Sequence, residues 1–270
     1  MKSAITISLV NEAKGGPFVF WHDIEAACEK AAELGFDAVE IFPPQAWGFD
    51  VELLKSTLQK NNLAVAAMGT GAGWVKHKLL LTSPNPGVRE NARNFVAAMI
   101  DCASEHNAPA IIGSLQGKVD PGANRDEVIS LFREAIDELA PLAARKNQIL
   151  LIEPLNRYET NLLNTVQQGL EFLSTLKSQN VKLLLDVFHM NIEEQNIPQV
   201  IRLAGPAVGH IHFADSNRRA VGFGHIEYRY ILQALRDIGY QGYLSAEILP
   251  WPNGEAAAAQ TIESFKALTQ

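Results

Sequence analysis

The chain has 270 residues, a length suited to one domain with a substantial buried core. Its 23 lysines and arginines are outnumbered by 30 acidic residues, which gives a formal net charge of −7. The basic residues are scattered along the chain and form no basic stripe. Proteins that hold nucleic acid carry a positive footprint, so this charge argues against a nucleic-acid partner.

The apolar runs and the two cysteines of the sequence indicate where the protein is located. No apolar run approaches the roughly 20 residues needed to cross a bilayer, and the first residues lack the pattern of a secretory signal. We therefore expect no membrane partner and a cytoplasmic location. Cys28 and Cys102 each fall inside a predicted amphipathic helix, and we expect two buried free thiols rather than a disulfide.

Short, mostly apolar segments alternate along the chain with longer amphipathic segments. Short apolar runs of this kind are typical of parallel strands that are covered on both faces. They predict eight strands, at Ala4–Ser8, Ala38–Phe42, Leu63–Met68, Ala110–Ser114, Ile149–Glu153, Val181–Val187, Val208–Phe213 and Gly242–Ile248.

The amphipathic segments between these strands predict helices. The first spans Ile24–Leu34 and is expected to stop at Gly35, since glycine is favoured just after a helix end. A long helix is expected to open at Asn85, an N-cap residue followed by a proline. Further helices are predicted to begin near Arg125, Thr165, Ile197, Tyr228 and Ala256.

The alternation of strands and helices defines the expected fold class. Eight units in this length favour an α/β fold of the (β/α)₈ TIM-barrel type over an open doubly wound sheet. No Gly-x-Gly-x-x-Gly follows the first strand, which argues against dinucleotide binding. We expect a single TIM-barrel domain spanning residues 1–270.

Four polar side chains fall at the ends of consecutive predicted strands. Catalytic groups of such barrels lie at the carboxyl ends of the strands, and each of these four is about one strand-and-helix unit from the next. They are Glu153, Asp186, His212 and Glu247. A buried carboxylate needs a partner, and three carboxylates with one imidazole suit a divalent cation. This set suits Mn²⁺, Mg²⁺ or Co²⁺ better than a structural zinc ion.

Three motifs in the second half of the chain resemble those of a known enzyme family. The segments Glu153–Glu159, Asp186–Asn191 and His210–Arg218 resemble the D-tagatose 3-epimerase/D-psicose 3-epimerase family, which belongs to the xylose-isomerase-like TIM barrels. Leu81–Pro86 and Gly222–Glu227 are similar to that family as well. The resemblance implies an isomerase of carbohydrate metabolism that acts on a small sugar, and assembly as a homodimer or homotetramer.

The resemblance also implies a role for individual residues. Glu153 and Glu247 would act as the two acid/base groups, one on each face of the sugar, during epimerisation at C3 of a ketose through an enediolate. Glu159, His189 and Arg218 match positions that contact the ketose. The four strand-end residues would hold one divalent metal ion: Glu153, Asp186, His212 and Glu247.

Other functions use a similar frame and remain open at this point. An aldose–ketose or hydroxypyruvate-type isomerase would use the same site with proton transfer between adjacent carbons. A non-catalytic sugar-binding barrel is an alternative of another class, because a fold does not fix a function. A DNA-repair endonuclease is disfavoured by the acidic charge. No cluster of Ser, Lys and Arg opens a helix, which favours an unphosphorylated substrate.

Several side chains near the expected rim have more than one interpretation. His189 either donates to a substrate oxygen or orients Glu159 or Glu153. Glu159 either belongs to the site or anchors its loop through Arg157. Glu40, at the second predicted strand, either contacts substrate or makes a structural hydrogen bond in the barrel. The roles of three aromatic residues stay unassigned: Trp47, Trp74 and Trp251.

Overall fold

Eight parallel strands close into a barrel in the computed structural model, which describes residues 1–269. Each strand pairs with the next along the chain, and the first pairs with the last, with Ile5 beside Ala246. A two-residue strand, β2, adds to β1 outside this ring. The strands are β1 Lys2–Ser8, β2 Phe20–Trp21, β3 Ala38–Phe42, β4 Ala64–Gly69, β5 Ala110–Ile112, β6 Leu150–Ile152, β7 Val181–Asp186, β8 Val208–His212 and β9 Tyr243–Ala246.

Helices follow the strands and cover the outside of the barrel. Two of the ten α-helices described are short, with four and seven residues, and both follow the carboxyl ends of strands. The helices are α1 Ile24–Leu34, α2 Val51–Asn61, α3 Ala72–Val75, α4 Pro86–Ser104, α5 Arg125–Arg145, α6 Val166–Ser174, α7 Val187–Glu193, α8 Ile197–Ala204, α9 Tyr228–Asp237 and α10 Gly254–Thr269.

Local sequence signals set many of the helix ends. Asn85 caps α4 by accepting from the amide of Gly87, and Thr165 forms a capping box with Gln168 at the start of α6. Gly35 ends α1 with a φ of 88°, a left-handed conformation that glycine adopts without steric cost. These ends confirm the predicted helix boundaries at these positions.

The structure contains elements that were not predicted, and several strands end earlier than predicted. The unpredicted elements are the helix α2, the short helices α3 and α7 and the two-residue strand β2. In α2 only Leu54, Thr57 and Leu58 are buried, so its apolar stripe is narrow. Among the strand ends, β6 and β9 stop one residue before Glu153 and Glu247. Those two carboxylates therefore stand just beyond the regular ladder rather than inside it.

The core lies in the layer between the barrel and its helices. Phe132 of α5 is fully buried and stacks on Phe172 of α6, with ring centroids 4.8 Å apart. Cys28 and Cys102 are buried and free, as the sequence predicted. Within residues 1–269, no helix is both long enough and apolar enough to cross a membrane.

We expect the substitution Phe132→Ala to lower the free energy of unfolding by about 3–5 kcal/mol, because it removes a buried ring and leaves a cavity. Urea unfolding followed by circular dichroism would measure this change. Tyr230→Ala is the control, since that ring is 57% exposed, and its effect should stay within about 0.5 kcal/mol. Equal effects of the two substitutions would contradict this description of the core.

Candidate metal centre and active site

Four consecutive strands bring one polar side chain each to the same rim of the barrel. Glu153 follows β6, Asp186 ends β7, His212 ends β8 and Glu247 follows β9. Asp186 is paired in register with His212 across the two strands. Asp186 also caps α7, accepting from the amide of Phe188 at 2.7 Å, which fixes one of its carboxylate oxygens.

The four side chains converge, and all are buried. The Nδ1 atom of His212 lies 3.4 Å from Glu153 Oε1, 3.4 Å from Asp186 Oδ2 and 3.7 Å from Glu247 Oε2. One ligand atom from each residue lies within 4.8 Å of those from the others. The residues that the sequence selected as metal-competent therefore meet in one small volume.

Several atoms of this cluster lack hydrogen-bond partners. Glu153 Oε1, Asp186 Oδ2 and His212 Nδ1 are buried and unpaired in the structure, although such atoms are nearly always satisfied. The partly buried guanidinium of Arg218 lies 2.5 Å from Glu247 Oε2 and 3.7 Å from Asp186 Oδ2. Three ionised carboxylates beside this one cation leave two negative charges over when His212 is neutral. Oxygen-rich ligands, orphaned atoms and this charge all fit a divalent cation.

Burial and neighbouring charges shift the pKa values in the cluster. Burial raises the pKa of Glu247 to about 7, against the opposing effect of Arg218 and His212. Burial alone would lower the pKa of His212, but Glu40 and Glu247 raise it well above its ordinary value. Without a cation, the site is therefore expected to retain protons near neutral pH.

Arg218 joins two of the acidic groups. Its Nη2 lies 2.5 Å from Glu247 Oε2, and its Nη1 lies 3.3 Å from Glu159 Oε1. The guanidinium also lies over the ring of Phe188, 4.9 Å from its centroid. Arg218 has a φ of 56°, and its loop is held by the carboxylate of Asp215, which accepts from three backbone amides.

His189 is placed by a neighbour that the sequence interpretation missed. Asn156 Nδ2 lies 2.7 Å from His189 Nδ1, while the Oδ1 of the same amide accepts from the backbone of Tyr158. The amide nitrogen therefore donates to Nδ1, and neutral His189 carries its hydrogen on Nε2. This Nε2 has no partner in the structure. It is available as a donor to a bound molecule.

The side chain of Glu159 lies at the site. The alternative prediction, that Glu159 anchors its loop by pairing with Arg157, is wrong. Glu159 Oε1 accepts from Asn156 at 3.1 Å and from Arg218. Arg157 instead pairs with Glu193, with Nε 2.9 Å from its Oε1. Glu159 thus contacts the same Asn156 that orients His189.

Two further residues that the sequence interpretation missed support Glu153 from below. Gln116 Nε2 donates to the backbone oxygen of Glu153 at 3.0 Å and to that of Gly113 at 3.1 Å. A Cβ added at Gly113 would lie 2.5 Å from Glu153 Oε2, so a side chain here would displace this carboxylate from its observed position. No local pattern marks these positions, because both contacts join segments from neighbouring strands.

A cavity of about 440 Å³ opens onto the cluster. Phe42 and Trp74 line it, together with Glu159, His189 and Arg218. The other two unassigned tryptophans do not line this cavity. Trp47 is 52% exposed, and Trp251 packs edge-on against Phe223 beneath the guanidinium of Arg219.

Glu40 does not contact the cavity. It lies inside the barrel and bonds to His210 and His212, so of its two interpretations the structural hydrogen bond is the correct one.

Comparisons with known proteins agree with this architecture. Residues 28–268 match the family model of the xylose isomerase-like TIM barrel. D-psicose 3-epimerase from Ruminiclostridium cellulolyticum is 34% identical over 242 residues, covering 85% of this chain and 81% of that protein. L-ribulose 3-epimerase from Methylomonas sp. is 32% identical over 221 residues, covering 80% and 75%. The crystal structure of D-allulose 3-epimerase from Methylomonas sp. in complex with D-allulose has a TM-score of 0.81 at 26% identity, covering 99% and 98%.

A closed parallel barrel with acidic groups at its carboxyl rim is the architecture of (β/α)₈ barrel enzymes. The chain belongs to the xylose isomerase-like TIM barrel family, and it is an enzyme of the isomerase class. The resemblance found in the sequence motifs is thereby confirmed.

Replacing Arg218 with methionine should raise the pKa of Glu247 further above 7 in the metal-free protein. The guanidinium favours the ionised carboxylate, and an opposite charge at this range lowers a carboxyl pKa by about 1–3 units. Titration of the carboxyl carbon by ¹³C NMR would measure the shift. Arg219→Met is the control, because Arg219 lies over Trp251. An unchanged pKa in Arg218→Met would contradict the ion pair.

Proposed function

We propose that this protein is a metal-dependent epimerase that inverts C3 of an unphosphorylated ketose. The observation that carries the proposal is the convergence of Glu153, Asp186, His212 and Glu247 on one buried volume with unpaired ligand atoms. The relatives named as ketose 3-epimerases support the substrate class and the position of the reaction.

The four converging residues would hold one divalent cation, for which we propose Mn²⁺, with Mg²⁺ or Co²⁺ as alternatives. Bound there, the cation would supply positive charge that stabilises the negative charge developing on a substrate oxygen when the C3 proton leaves. The unpaired atoms of Glu153, Asp186 and His212 support this assignment.

Proton transfer falls to two carboxylates in this proposal. A 3-epimerase must remove a proton from one face of C3 and return one to the opposite face. Glu153 and Glu247 stand at the ends of β6 and β9, on the two sides of β7 and β8. Arg218 holds Glu247 Oε2 at 2.5 Å, which fixes the orientation of that carboxylate.

Substrate orientation falls to groups beside the two carboxylates. His189 offers an Nε2 hydrogen that no protein group accepts, so we assign it to a sugar oxygen. Arg218 and Glu159 form a hydrogen-bonded pair that lines the same cavity, and they would bind neighbouring hydroxyl or carbonyl oxygens. The apolar wall that includes Phe42 and Trp74 would exclude water from the reacting carbon.

Deuterium exchange would test the reaction. Metal-stripped protein would be incubated in D₂O with ketohexoses, ketopentoses and hydroxypyruvate, with and without Mn²⁺, and followed by NMR. We expect exchange at C3 of a ketose only when Mn²⁺ is added. Glu153→Gln and Glu247→Gln should each slow it by at least about 100-fold, because each removes a general acid/base. Glu227→Gln is the control, since that exposed carboxylate pairs with Arg229 and does not line the cavity.

Other outcomes would replace the proposal by a named alternative. Exchange at C1 with aldose formation would make the protein an aldose–ketose isomerase that uses the same site. Stoichiometric metal binding without exchange in any of these substrates would support a sugar-binding barrel. If the wild-type protein bound no metal ion at all, the proposal would fail at its central step.

Metal affinity should rise with pH between about 6 and 8. In the metal-free protein, the pKa of Glu247 is about 7 and that of His212 is above its ordinary value, so both hold protons at pH 6. A ligand must lose its proton to bind a cation, which costs about tenfold in affinity per pH unit for each proton released. Calorimetric Mn²⁺ titrations in buffers of different ionisation enthalpy would count these protons. Affinity that is independent of pH would contradict this assignment of protons.

A further inference from the structure

Glu40 of β3 is a buried carboxylate that reaches across the barrel to β8. Its Oε2 lies 2.7 Å from His210 Nε2, and its Oε1 lies 3.0 Å from His212 Nε2. Glu40 has no exposed surface, and each histidine is only 1% exposed. The three residues form a closed group in the barrel interior, which we call the Glu40 trio.

Charge and hydrogen bonding within the trio are balanced. Glu40 presents one oxygen to each imidazole, and a carboxyl group gives up its proton more readily than an imidazole does. Glu40 is therefore the acceptor, and each imidazole presents an N–H to it. Each carboxylate oxygen takes one histidine, which satisfies a group whose unpaired burial would be very costly.

The consequence for His212 is a fixed ring orientation. Its Nε2 is committed as a donor to Glu40, while its Nδ1 faces the rim, 3.4 Å from both Glu153 Oε1 and Asp186 Oδ2. A neutral imidazole with hydrogen on Nε2 carries its lone pair on Nδ1. That lone pair is then directed at the carboxylates that lack partners.

We propose that Glu40 is a positioning residue for metal binding, which holds His212 in the Nε2–H tautomer with Nδ1 directed at the four-residue cluster. The inference rests on the proposed metal site. His210 supports this role by donating a hydrogen bond to the second oxygen of Glu40. Both oxygens of the carboxylate are then hydrogen-bonded, and its orientation is fixed. Partners of this kind fix the tautomer of a ligating histidine and increase its basicity.

The trio itself has the composition of a metal site, because one carboxylate and two imidazoles lie within reach of one another. Its distances of 2.7 and 3.0 Å are those of direct hydrogen bonds, and both oxygens of Glu40 are already used. The hydrogen-bonded interpretation is therefore favoured, and the number of ions bound per chain tests it.

The substitution Glu40→Gln keeps the size of the side chain but not its two equivalent acceptors. The amide offers one oxygen, so only one of the two histidines still donates, and the other meets an N–H₂ group. We expect the dissociation constant for Mn²⁺, measured by calorimetry on metal-stripped protein, to rise by about 10–100-fold. A change of less than about threefold would overturn the proposal.

Ser245→Ala is the matched control for a change inside the barrel. Ser245 is fully buried, pairs in register with His212 across β8 and β9, and has no hydrogen bond from its hydroxyl. We expect its Mn²⁺ affinity to stay within about threefold of the wild type. An equal loss of affinity in Ser245→Ala and Glu40→Gln would attribute the effect to general disturbance of the barrel and overturn the proposal.

A second measurement uses the wild-type protein and does not depend on the folding of a variant. In protein saturated with Mg²⁺, long-range ¹H–¹⁵N correlation spectra report which nitrogen of each histidine carries hydrogen. We expect His212 to show a slowly exchanging hydrogen on Nε2 and a metal-shifted Nδ1. Hydrogen on Nδ1 would overturn the proposal.

Loss of the metal site and loss of the positioning role would give different results. Wild-type protein that binds no cation would remove the proposed function and this inference together. Wild-type protein that binds one ion, with unchanged affinity in Glu40→Gln, would remove only the positioning role. Two tightly bound ions per chain, reduced to one by Glu40→Gln, would make the trio a metal site and overturn the positioning role.

Discussion

The rest of this structure depends on one constraint, which is the burial of several negative charges in a small volume. Glu153, Asp186 and Glu247 are buried in one volume at the rim of the barrel. Little of their surface is exposed to water, so their charge has to be compensated by a cationic group or a bound ion. Arg218 meets part of this requirement by pairing with Glu247, and the remaining unpaired atoms make a cation the natural occupant.

A second layer of charge lies directly beneath the first, and His212 connects the two. Side chains alternate along a strand, so His210 and His212 of β8 both point into the barrel. Glu40 lies between these two imidazoles. His212 thus has acidic groups on both sides, which explains why its pKa is raised despite complete burial.

The site combines residues positioned by the strands with residues positioned by the connections that follow the strands. The strand ladder positions Asp186 and His212 directly, but Arg218 lies in the long connection after β8 and depends on the hydrogen bonds of Asp215. His189 depends in the same way on Asn156, from the connection after β6. The proposed metal ligands therefore lie in the barrel strands or one residue beyond them. Of the groups proposed to contact substrate, Arg218 and Glu159 lie in loops and His189 lies in the short helix α7, outside the ladder, where specificity can vary without loss of the fold.

The sequence was sufficient for most of the fold and for the candidate ligands because both depend on local patterns. Apolar runs marked the eight barrel strands, and residues such as Asn85 and Gly35 marked helix ends through their own backbone preferences. The second helix was not predicted because so few of its side chains are buried. Polar residues at the ends of consecutive strands could be found since a parallel barrel gathers those ends at one rim.

Contacts between residues far apart in the chain were decided only by the tertiary structure. Glu40 and His212 are 172 positions apart, and their hydrogen bond exists because the barrel closes in one register. The pairing of Asn156 with His189, and of Arg157 with Glu193 instead of Glu159, likewise depends on how two neighbouring connections pack. Local periodicity determines which face of an element is buried, but the partner of a buried polar group is set by closure and register.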